Sequence, residues 1–158
     1  MSYTVNDELC VQSTWSPGVV KNEEVLLRTV FHPEHVLDGK VIETAISLTD
    51  LKSSGFSVDR FEYADRIILQ KRIERLINNS PQLRHSGLIA NFECFSVREF
   101  SDELDERAFI VIDTAEKENT AHASIYSAKE RGKSALRKLR ALLLPFLQER
   151  SSLEEIFS

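Results

Sequence analysis

The chain has 158 residues, 42% of them hydrophobic and 28% charged. That is ordinary globular usage, and a chain of this length buries about 68–70% of its unfolded surface, so wholesale disorder is excluded. The formal net charge of −5 argues against nucleic-acid binding by bulk electrostatics and leaves room only for a local basic face.

Cys10 and Cys94 are the only cysteines and neither belongs to a CxxC pair. They make no disulfide framework and read as free thiols in a reducing, cytoplasmic compartment. Residues 1–23 are polar and carry Trp15-Ser16-Pro17-Gly18, the signature of an irregular arm with a turn. They lack the charged start and apolar run of a secretory signal. The longest apolar stretch, around residues 142–147, is interrupted by Pro145 and falls far short of the ~20 residues of a membrane helix. No membrane association is expected.

Residues 25–31 form a short apolar run rich in β-formers and predict a strand, with Arg28 inside it. Alternation puts Arg28 on the face of Leu26 and Val30. A charge among apolar neighbours needs a partner, and a cleft supplies one. Pro33 ends the strand. Asp38-Gly39 is a turn signal, so residues 40–47 are expected to pair back as a second strand. Thr49-Asp50-Leu51-Lys52 reads as one helical turn closed by Gly55.

From 60 to 79 the apolar spacing turns helical, with a basic opposite face, and Asn78-Asn79-Ser80-Pro81 ends it. Residues 87–97 alternate as a strand. Residues 108–112 are nearly all apolar, as in a strand covered on both faces. Residues 122–126 alternate briefly and can pair with them. Residues 129–148 form the second long helix, with Leu136, Leu139, Leu143 and Leu147 in its apolar stripe. The fold class is therefore α+β: a single domain with a largely antiparallel sheet of about five strands covered by two amphipathic helices. It spans residues 24–150, between the arm and a short tail, 151–158, that adds at most one weak helical turn.

Three polar clusters sit at the edges of apolar segments, and three of the four histidines lie in two of them. His32 and His35 form an HxxH pair after the first strand. Zinc would need at least a third protein ligand, and none is fixed by the spacing, so no metal is assigned. No cofactor motif is present either: the chain has no P-loop and no dinucleotide fingerprint. Ser57-Val58-Asp59-Arg60 offers a hydroxyl, a carboxylate and a guanidinium in four residues. Ser57 or Asp59 can cap the following helix, and Arg60 can grip a phosphate or carboxylate bidentately. Asn119-Thr120-Ala121-His122-Ala123 places His122 at a strand mouth between small residues, where an imidazole can serve as general acid or base.

The helix at 129–148 carries six basic residues and one acid, Glu130, within residues 129–140. Lys133, Arg137 and Arg140 share a face at i, i+4 and i+7. That face suits an anionic ligand or an acidic protein surface. Nucleic acid is less favoured, because no aromatic residues interleave with the basic ones.

Two classes of function fit. The first is an accessory or binding domain with an anion-friendly site, using Arg28, Arg60, Ser57, Lys133, Arg137 and Arg140. The second is a small enzyme cleaving a phosphodiester or N-glycosidic bond, with His122 or His32 moving the proton and arginines holding the anion. Leu27-Arg28-Thr29-Val30 resembles the early strand arginine of the RES family of NAD-degrading toxins. The resemblance is confined to those four residues and carries no residue role over. The two classes part on geometry: the enzyme needs Arg28, Arg60 and His122 around one cleft.

Overall fold

The computed structural model describes residues 3–158. Five antiparallel strands form the sheet: β1 (Val25–Pro33), β4 (Phe56–Arg60), β5 (Arg84–Glu93), β6 (Phe109–Asp113) and β7 (His122–Ser127). Their order is β5-β1-β4-β7-β6. A two-stranded ribbon, β2 (Val36–Leu37) with β3 (Lys40–Val41), stands beside it. The helices are α1 (Arg66–Asn79), α2 (Cys94–Arg98), α3 (Lys133–Leu143) and α4 (Leu153–Ile156). The expected α+β class, with a single antiparallel sheet, is what the chain adopts.

The two faces of the sheet are covered unequally. On one, Leu26, Val30, Phe56, Val58, Val111 and Ile125 pack under Leu136, Leu139 and Leu143 of α3. Fully burying a leucine contributes about 1.5–3 kcal/mol, so this face supplies most of the core. On the other face, Leu69 and Ile73 of α1, one turn apart, sit on Leu27 and Ile89, and Leu153, Ile156 and Phe157 of the tail join them. Ser151 exchanges both backbone hydrogen bonds with Ile89 at 2.8 Å, which docks the tail on β5. Tyr3 and Ala128 cover a separate patch of Ile110, Ile112 and Tyr126. Between the α1 patch and the Tyr3 patch, the outer face of β4 lies open.

Several boundaries differ from the sequence reading, each for a physical reason. The first long helix begins at Arg66, not at residue 60. Asp59 and Arg60 pair within the sheet, and the helix N-cap is Asp65, whose Oδ1 accepts from the N–H groups of Ile67 and Ile68 at 2.8 and 3.1 Å. Ser57 is accordingly a strand residue and no cap. The second strand shrinks to Lys40–Val41, because the side-chain amide of Gln148 takes both the N–H and the C=O of Val41 at 3.0 Å. Asp38 and Gly39, both at positive φ, make the tight turn before it. The strand read through residue 97 stops at Glu93, where the N–H groups of Cys94 and Phe95 turn to bond Glu24 and Asn22 and α2 begins.

The second long helix starts after Gly132 and tightens into a 3-10 turn at Leu144–Leu147, around Pro145. The described part of the polar arm packs against the sheet: the buried Glu8 accepts the Val111 N–H at 2.8 Å and is held by Arg98 and Arg107. It therefore shields the edge strand β6. The turn at 49–55 is a wide helical turn, Asp50–Ser54, closed by Gly55 at φ 92°. A Cβ at Gly55 would lie 2.8 Å from the Tyr126 hydroxyl and 2.9 Å from Ser124 Cβ, so only glycine lets β4 approach β7 here. No described helix is long and apolar enough to cross a membrane.

Candidate functional site

The uncovered stretch of sheet is the floor of a cleft of about 490 Å³. Strand pairing builds that floor. The β4–β7 ladder sets Asp59 against His122 and Ser57 against Ser124, so alternation turns Ser57, Asp59, His122 and Ser124 to one side. Arg72 and Arg75 of α1 line the cleft together with Arg28, Phe31, His35 and Asp50.

Arg28 reaches the cleft through a gap in the sheet. The β1–β4 ladder pairs only Leu26 with Arg60 and Leu27 with Asp59, and the strands then part. The Arg28 guanidinium fills the opening, donating from Nη1 to Ser57 O at 2.8 Å and from Nη2 to Ala45 O at 3.5 Å. It lies 4.1 Å over the Phe56 ring. No carboxylate of the described residues comes within 4.0 Å of it, although Asp50 lines the same cleft. Burial lowers its pKa to about 10; the Asp50 charge opposes that shift and the Arg72 charge adds to it. Asp50 answers in kind: desolvation raises its carboxyl, with Arg28 opposing. Beside Arg28, Thr29 Oγ1 is buried without a hydrogen-bond partner.

His122 is fixed from behind. Its Nδ1 lies 3.0 Å from the Thr114 carbonyl oxygen and 2.9 Å from Thr114 Oγ1, which in turn meets Ser124 Oγ at 2.8 Å. A carbonyl oxygen can only accept, so Nδ1 carries the proton. In the neutral ring Nε2 is then the acceptor, and Ser57 Oγ sits 3.1 Å from it. Ser57 is exposed to the cleft. Next to this pair, Asp59 is 3% exposed and receives both terminal nitrogens of Arg72, together with Asn119 Nδ2 at 2.8 Å.

Arg28, Ser57 and His122 of the expected site residues therefore come together, and Arg60 does not. It is 1% exposed, on the other face of β4. Its Nε and Nη2 hold Glu24 at 2.7 Å each, Nη1 and Nη2 donate to the carbonyls of Gly18 and Val19, and Asp113 lies 3.6 Å from Nη1. Four of the five N–H donors of the guanidinium are hydrogen-bonded and the remaining one, on Nη1, has the Asp113 carboxylate beside it, so the group is committed within the fold.

The HxxH histidines are used singly. His32 Nε2 accepts from Arg150 Nη1 at 2.8 Å, and desolvation followed by the Arg150 charge lowers its pKa. His35 Nδ1 accepts the Phe31 N–H at 3.0 Å and its Nε2 faces Glu34 at 2.9 Å. Burial holds its pKa below the ordinary value despite Glu34. No three His, Cys, Asp or Glu side chains of the described residues gather as a metal would require. The basic helix is remote from the cleft and partly neutralised, Arg140 by Glu43 and Lys138 by Glu103. Lys133 and Arg137 are exposed and form no ion pair among the described residues.

Sequence reasoning missed Arg72, Arg75 and Thr114 as parts of the site; Asn119 lay in the His122 cluster with no role given to it. Arg72 and Arg75 are three apart on the polar face of α1, a pattern shared by any solvated helix. No family model matches the chain, and neither a curated protein nor a solved structure matches it.

Proposed function

We propose that the protein is a binding domain whose β4–β7 cleft takes an anionic ligand of the phosphate class. One observation carries this reading: Arg28 is a half-buried guanidinium lining the cleft, with carbonyl partners but no carboxylate within ion-pair distance. Desolvating a charge is costly unless an opposite charge meets it, and an anion entering the cleft supplies one. Arg75 lines the same cleft and likewise forms no ion pair among the described residues. Two guanidiniums facing one polar space match a phosphate better than a lysine pair would, because each presents a planar fork. The exposed Lys133 and Arg137 offer an acidic protein a second, weaker surface. Free thiols at Cys10 and Cys94 fit a cytoplasmic setting.

Calorimetric titration with inorganic phosphate and with a nucleoside monophosphate tests the reading. Binding at the cleft raises the melting temperature, by the equivalent of about 2.7 kcal/mol at a hundredfold excess over Kd. Arg28→Met abolishes that shift, while Lys133→Met leaves it intact. Equal shifts in wild type and Arg28→Met would refute the assignment. The enzymatic alternative, cleavage of a phosphodiester or N-glycosidic bond, is favoured by one observation of its own: His122 presents Nε2 to the cleft with its far nitrogen already fixed by Thr114.

A further inference from the structure

We propose that the anion taken by the cleft is also a substrate, with Arg75 standing where the sequence reading expected Arg60: Ser57 and His122 are a nucleophile and its base, and a phosphate diester is hydrolysed through a covalent phosphoserine. The substrate class rests on the anion-binding reading above; the nucleophile does not. Three features set this hydroxyl apart. It is exposed in the cleft, its Oγ is 3.1 Å from an imidazole nitrogen, and that imidazole is oriented by a third group, the Thr114 carbonyl at 3.0 Å. Nucleophile, base and orienter in sequence are the geometric signature of covalent catalysis by a hydroxyl. Arg28 completes the arrangement: Nη1 is 2.8 Å from the carbonyl oxygen of the same Ser57, which puts positive charge beside the point of attack.

The chemistry balances with water as the only co-reactant. Ser57 Oγ attacks phosphorus as its proton passes to His122 Nε2. An Oγ–P bond forms, and one P–O ester bond breaks. The departing alkoxide takes the proton from the imidazolium and leaves as an alcohol. Water then gives a proton to His122 Nε2 and its oxygen bonds phosphorus. The Oγ–P bond breaks, Ser57 recovers its proton from His122, and a phosphate monoester is released. Arg28 and Arg75 offset the charge on the non-bridging oxygens in both steps.

A fluorophosphonate probe tests the nucleophile directly, since fluoride leaves where the ester oxygen would. The full chain is incubated with the probe and mapped by peptide mass spectrometry. One adduct, on Ser57, is expected; Ser57→Ala removes it, and His122→Gln slows it roughly 100-fold with the melting temperature retained. The exposed serines Ser47 and Ser54 provide a control that needs no variant, because Ser57 should outpace both by more than about tenfold. No adduct, adducts spread evenly over the three serines, or a folded His122→Gln that labels at the wild-type rate would each overturn the proposal. Phosphate that fails to bind while Ser57 still labels would refute the anion site alone; phosphate that binds without any labelling would refute the nucleophile alone.

Discussion

Arg28 and Arg60 stand in adjacent strands of one sheet, yet the two regions around them treat the same side chain in opposite ways. On the closed side, Arg60 meets Glu24 bidentately and has Asp113 and two carbonyls besides, so its charge is matched and four of its five donors are hydrogen-bonded. On the cleft side, Arg28 is only half-buried and receives carbonyl oxygens alone. The first arrangement is what a fold needs to tolerate a buried cation. The second leaves part of the electrostatics unfinished, which a ligand can complete. Burial of a charge is thus no guide to its role until its partners are counted.

The contrast is sharpest in stability. Arg60→Ala leaves Glu24 buried without its cation and should cost about 3–5 kcal/mol, read as a lower urea midpoint at unchanged m-value. A loss below about 1 kcal/mol would erase the distinction between the two regions. Arg28→Met removes a charge with no carboxylate in ion-pair contact, Asp50 feeling it only at longer range, and should change stability by no more than about 1 kcal/mol in either direction. Unfolding as severe as that of Arg60→Ala would make Arg28 structural.

The smallest effect is pH-dependent. Burial holds the folded-state His35 below the ordinary histidine value of 6.5, so between the folded and unfolded values the unfolded chain binds more protons. His35 therefore favours folding above pH 6.5 and loses that contribution as the pH falls below it. The melting temperature should drop from pH 7.5 to pH 5.5, and His35→Asn should flatten part of the drop. A slope identical in the variant would assign the effect elsewhere, with His32, shifted the same way, the first suspect.

Much of the fold was legible in the sequence because its signals are local. Alternation around residues 88–92, the apolar run at 109–112 and the leucine stripe at 136, 139 and 143 each report on neighbours a few positions away. The start of α1 was misread because Asp59 and Arg60 resemble a helix beginning, and only the pairing of β4 with both β1 and β7 makes them strand. The site was legible as separate oddities: a strand arginine, a serine two residues from an acid, a histidine among small residues. Their assembly depends on the order β1-β4-β7 and on a register joining residue 59 to residue 122, which no local pattern carries. Arg60 looked as promising as Arg28. What separates them is Glu24, distant in sequence and unremarkable there.

Gly55 has a mechanical consequence for that assembly. With Tyr126 Oη and Ser124 Cβ under 3 Å from where a side chain would begin, the glycine acts as a spacer of zero thickness between two strands. Even a methyl group would work as a wedge at the foot of β4, two residues from Ser57. It would pry the hydroxyl away from the imidazole it faces without altering either one. The separation of Ser57 from His122 is therefore set partly by an atom that is missing.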